Sequence, residues 1–76
     1  MREQLVRFKH QVPFCRFVIR LGDGGRIHVD APDQLGRFDD QKVQYTDARG
    51  RWRWIAYRAI AGLEFKDKPL IPPERF

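Results

Sequence analysis

Residues 14–31 alternate apolar and polar side chains on either side of a glycine-rich break. In FCRFVIRL (14–21), Cys15, Phe17, Ile19 and Leu21 fall on one face and Arg16, Val18 and Arg20 on the other. In RIHVDA (26–31), Ile27 and Val29 oppose Arg26, His28 and Asp30. A period of two marks a strand buried on one side only, because successive side chains point to opposite faces. Gly22-Asp23-Gly24-Gly25 supplies the positive φ angles that a tight antiparallel turn needs. The segment is expected to be a β-hairpin with a basic outer face and an inner face that requires a cover. Pro32 has no N–H to give to a ladder and ends the second strand.

The same pattern recurs downstream. QKVQYTD (41–47) places Val43 and Tyr45 on one face, and RWRWIA (51–56) places Trp52 and Trp54 opposite Arg51, Arg53 and Ile55. Asp47-Ala48-Arg49-Gly50 reads as the turn between them. Tyr57-Arg58-Ala59 reads as a corner, and IAGLEF (60–65) as a fifth strand with Leu63 and Phe65 inward. REQLVRFKHQ (2–11) suits a short amphipathic helix, with Leu5, Val6 and Phe8 on one side and Pro13 beyond its end. Ten residues make no stable helix alone, so it must pack on the strands. In PDQLGRFDD (32–40), Pro32 suits a first helical position, Gly36 the end of that turn, and Leu35 and Phe38 pin the loop to the core. KDKPLIPPERF (66–76) reads as an extended, polyproline-like tail, with Leu70, Ile71 and Phe76 available to dock on a neighbour.

Five short strands after one helix, joined by tight turns, suggest a small, strongly bent barrel of mainly β class. The expected organisation is a single domain over 1–65 and the tail. Seventy-six residues bury only about 60% of the unfolded surface, so assembly would relieve a marginal stability. Composition then excludes several functions. One Cys permits neither an intrachain disulfide nor a Cys-rich zinc site. The chain has no Ser and one Thr, which removes serine-hydrolase chemistry. His28 and His10 are too far apart in sequence to suggest a ligand pair, and Asp30, Asp33, Asp39 and Asp40 lack the alternation of a calcium loop. The glycine-rich turn joins two strands without a Lys-Ser/Thr, so it is no phosphate loop. We expect no enzyme, metal or cofactor. No run approaches the roughly 20 apolar residues of a membrane helix, and no apolar signal stretch follows Met1, so a cytoplasmic protein is expected.

The formal charge of +5 is unevenly spread. Residues 1–29 carry six basic and two acidic groups, 30–47 two and five, and 48–66 five and one. Eleven of the fifteen cations are Arg, whose planar fork suits phosphates and bases. With both indoles on one face of their strand, Trp52 and Trp54 are expected to fill the barrel; a base-stacking surface is the alternative. Arg51 and Arg53 then join Arg16 and Arg20 on the outside. These form either a cationic surface for a nucleic-acid backbone or a solvated face. Cys15, in phase with Phe17 and Ile19, is expected to be a buried, inert thiol.

VIRLGDGGRIHV (18–29) resembles the first motif of the Sm-like (Hfq-like) small β-barrel family: a strand, an Asp/Asn-Gly turn and a second strand. YRAIAGL (57–63) resembles the bacterial second motif, and the preceding helix also matches. Pro13-Phe14, Phe17-Val18-Ile19-Arg20-Leu21-Gly22-Asp23-Gly24 and Val29-Asp30-Ala31-Pro32 are similar to a pattern in short uncharacterised bacterial proteins. The resemblance implies an Sm-like or SH3-like five-stranded barrel. It further implies single-stranded RNA binding, with Tyr57 and Arg58 at the nucleotide corner beside Arg16, Arg20, Arg51 and Arg53. It also implies a homo-oligomer closed through strands 51–56 and 60–65. The chain departs from the family at Val29-Asp30, where a bend-permitting Gly is usual, in its longer 32–40 loop, and at Arg58, which replaces a Lys-His pair. A structural or protein-interaction module without nucleic-acid binding is the alternative function.

Overall fold

The computed structural model describes residues 1–66. Helix α1 (Arg2–Lys9) leads into six strands: β1 (Phe17–Leu21), β2 (Arg26–Val29), β3 (Leu35–Gly36), β4 (Lys42–Thr46), β5 (Trp52–Ala56) and β6 (Ile60–Phe65). Single 3-10 turns at Pro32–Gln34 and Tyr57–Ala59 mark the two places where the chain changes sheet. The strands form two antiparallel three-stranded sheets, ordered β2-β1-β6 and β3-β4-β5. The tail expected over 66–76, with Leu70, Ile71 and Phe76, lies beyond Lys66 outside the described residues.

The first hairpin forms as expected. Phe17 pairs with Val29 and Ile19 with Ile27, and all four side chains enter the core. Gly24 adopts φ 95, a conformation costly for a side-chain-bearing residue, while Asp23 Oδ1 accepts the Gly25 N–H at 2.8 Å. Across β1, Ile19 pairs with Leu63 and Phe17 with Phe65. Leu5 of α1 and Leu35, Val43 and Ile55 of the second sheet complete the core, all at most 2% exposed. Phe8 binds the helix to the first sheet, edge-on to Phe17 at 5.0 Å and stacked on Phe65 at 4.9 Å.

Polar contacts fasten the remaining pieces. Lys9 Nζ donates to the carbonyls of Pro32 and Leu35 at 2.6 and 2.7 Å, tying the end of α1 to the loop after β2. Gln34 Oε1 accepts the N–H groups of Asp30 and Ala31, closing the Pro32 turn. Tyr45 Oη donates to the His28 carbonyl at 2.7 Å and links the two sheets. Tyr57 Oη donates to the Asp39 carbonyl at 2.6 Å and holds the 37–41 segment, where Phe38 packs on the core.

Several expectations are corrected: six strands in two open sheets stand where five in a barrel were expected, and Phe65 is exposed rather than turned inward. Strand β1 begins at Phe17, so Cys15 precedes the ladder and is exposed. Val18 points away from the main core yet is 4% exposed, because β1 is central and Val18 is flanked across the strands by His28 and Glu64. Gly36 continues into β3 and does not stop a helical turn. Trp52 and Trp54 face outward, 60% and 39% exposed, and Ile55 takes the buried place.

Candidate nucleic-acid interface

The outward tryptophans follow from the length of one turn. Asp47 N–H donates to the Arg51 carbonyl at 2.7 Å and Gly50 N–H to the Asp47 carbonyl at 3.0 Å, so the loop is the three residues Ala48-Arg49-Gly50. Gly50 at φ 84 takes the left-handed position that such loops require. Asp47 Oδ1 further accepts the N–H groups of Arg49 and Arg51. A four-residue loop would set Tyr45 opposite Trp52. The three-residue loop sets Tyr45 opposite Arg53 and Val43 opposite Ile55. A one-residue difference in register exchanges the faces of a whole strand. Since Val43 is buried, Ile55 must be, and both indoles turn to the outer face.

There Trp52 lies across from Thr46 and Trp54 across from Gln44. Lys42 Nζ lies 5.1 Å from the Trp54 ring centroid, a cation–π distance. Two residues of strand separate the indoles, about 6.6–6.8 Å along its axis. Arg51 and Arg53 share the phase of Ile55, the reverse of the expected outer placement, but lie past the rim of the core and are exposed.

Two concavities flank this strand. One, of about 310 Å³, is lined by Leu21–Asp23, Arg53–Ala56 and Arg58–Ala59. The other, of about 410 Å³, is lined by Asp40–Lys42 and Ala56–Arg58. Arg58 is exposed and borders both. Tyr57 is half-buried with its hydroxyl engaged by Asp39, and burial raises its phenol above the ordinary value. It therefore builds the corner and offers ring surface without a free hydroxyl. Asp39 beside it is held below the usual carboxylate range by the Asp40 N–H and by Lys42.

The six residues expected at the site divide into two groups. Arg51, Arg53, Tyr57 and Arg58 gather on or beside β5. Arg16, just ahead of β1, and Arg20, within it, lie with the other sheet, and Arg20 is occupied: its Nε lies 3.4 Å from Glu64, which Arg26 approaches at 3.9 Å. Its guanidinium lies over Gly62, where a Cβ would come within 2.6 Å of Nη2. The sequence reading overlooked Lys42 and took the indoles as core; the spacing of Asp47 and Gly50 was the available signal for both. Among the described residues no group of three His, Cys, Asp or Glu side chains is placed to hold a metal, and no helix is long and apolar enough to cross a membrane. No family model, curated protein or solved structure matches the chain.

Proposed function

We propose that the chain is a small Sm-like β module that binds single-stranded RNA along β5 and self-assembles through open strand edges. The carrying observation is the pair of exposed indoles, Trp52 and Trp54, on a strand that also bears Arg51 and Arg53. Indoles left in water forgo a large hydrophobic gain, and bases can cover them while Arg and Lys neutralise the phosphates. Support for the barrel comes from the order of elements: β2 and β3 read as one strand interrupted at Pro32, and a 3-10 turn separates β5 from β6. Support for assembly comes from β5 and β6, each at the end of its sheet.

The test is fluorescence polarisation of a labelled, mixed-sequence single-stranded RNA over a salt series. Three phosphate contacts, from Arg51, Arg53 and Arg58, predict a log–log salt slope of about −2. Trp52→Ala and Trp54→Ala should each weaken binding by about 5–150-fold. No binding at about 50 mM salt removes the RNA reading. The open edges favour a second reading, a protein-interaction module whose partner covers the indoles; it predicts assembly without RNA affinity.

A further inference from the structure

We propose that β5 pairs with β5 of a second copy about a two-fold axis at Trp54, joining two three-stranded sheets into one of six. This rests on the self-assembly part of the reading above and replaces contact between unlike edges with contact between like ones. The hydrogen bonds of Asp47 with Arg51 and of Tyr57 with Gln41 fix the parity of the β4–β5 ladder. Arg51, Arg53, Ile55 and Tyr57 turn their backbone toward β4, and Trp52, Trp54 and Ala56 turn theirs to the open edge. No strand pairs with that edge among the described residues. Of the devices that blunt edges it has neither proline nor bulge within β5 and carries one charge, Arg53. The β6 edge, by contrast, belongs to a ladder whose register shifts at Arg20/Leu21.

Antiparallel self-pairing requires that outward backbone groups meet outward ones. A register centred on Trp54 sets Trp54 against the second copy's Trp54 and Trp52 against its Ala56, and so pairs every residue of β5. Three such pairs exchange two bonds each, six in all. Centring on Arg53 would set two guanidiniums directly opposite one another, which is unfavourable. In the Trp54 register the second copy's Arg53 lies beside Ile55, on the face that opens into the 310 Å³ cleft. Asp23 lines that same cleft beside Arg53 and Arg58, and its carboxylate offsets part of their positive charge. The four indoles then line one face of the joined sheet, doubling the length available for stacking.

Proline at position 56 separates assembly from folding. Ala56 has φ −71 and ψ 135, within the range proline adopts, and its N–H points to the open edge. Ala56→Pro removes two of the six bonds and should raise the dimer dissociation constant about 10–100-fold, leaving the circular dichroism spectrum unchanged. In a Cys15→Ser background, Trp54→Cys should oxidise to a covalent dimer, because paired α-carbons about 5.5 Å apart suit a disulfide. Trp52→Cys should not, since each copy's residue 52 faces the other's residue 56. Light scattering on the wild-type chain at about 100 μM should show two chains, a concentration at which micromolar affinities are saturated. A monomer overturns the proposal and the self-assembly reading together, leaving RNA affinity to its own measurement. A larger ring, equal cross-linking of the two cysteine variants, or an unchanged dimer for Ala56→Pro overturns the like-edge pairing and leaves self-assembly standing.

Discussion

Replacing Lys9 by Met removes an ammonium and keeps most of the apolar stem. In the fold that ammonium bridges the carbonyls of Pro32 and Leu35 at 2.6 and 2.7 Å. The first contact is exposed, so water recovers much of its worth. The second is partly buried, and a charged hydrogen bond there contributes about 1.5–3 kcal/mol. Taking the lower part of that range and little from the first contact, Lys9→Met should cost about 2 kcal/mol. A chain of 76 residues has about 4–11 kcal/mol of stability in total, so the loss is large. The consequence reaches the core, because α1 is eight residues long and stays helical only while docked on the sheets through its own Leu5 and Phe8. The assay is urea unfolding followed by tryptophan fluorescence. With a slope near 1 kcal/mol/M, the midpoint should fall by about 2 M, and Tm by roughly 8–16 °C. Arg7→Met is the control: Arg7 is exposed on the same helix, and its loss should stay within about 0.5 kcal/mol. Equal effects of the two substitutions would refute the clamp.

Tyr45→Phe deletes the hydroxyl that joins the sheets through the His28 carbonyl and should cost about 0.5–1.5 kcal/mol in the same assay. Burial, with help from the carboxylates of Asp47 and Asp30, raises the Tyr45 phenol above its ordinary value of 10.0. The unfolded chain therefore loses this proton first. The contribution is complete below about pH 10 and declines as pH rises through the folded-state value. The urea midpoint should drop less steeply between about pH 9 and 11 in Tyr45→Phe than in the parent, with the residue of the drop shared by Tyr57, which shifts the same way; parallel curves would contradict this assignment. Cys15 is exposed before β1 and should react with a thiol reagent in the native state at nearly the rate seen in denaturant. Strong native protection would place it back in the core.

Much of the architecture was legible because alternation is a local property. The β1–β2 hairpin, the turn at Pro32, the Tyr57–Ala59 corner and the anchoring of Leu35 and Phe38 all followed from residue type and spacing. The candidate site was legible in part. Arg51, Arg53, Tyr57 and Arg58 do gather around β5, whereas Arg20 was counted as a free cation although Glu64 holds it across the sheet. Residues 20 and 64 meet only through the β1–β6 ladder, and no local pattern announces such a pair. Lys9 gave no local sign of its role for the same reason: its carbonyl partners lie 23 and 26 residues away.

The sequence by itself determined that 51–56 is a strand with Trp52 and Trp54 on one face and Ile55 on the other, since side-chain alternation is built into extended backbone. Which face turns inward was decided only in three dimensions. The three-residue loop at 48–50 couples Ile55 to Val43, and the core already formed by Phe17, Ile19, Val29, Leu5 and Leu35 encloses that pair. One residue in the loop thus separates a chain with two buried indoles from one that presents them to a partner.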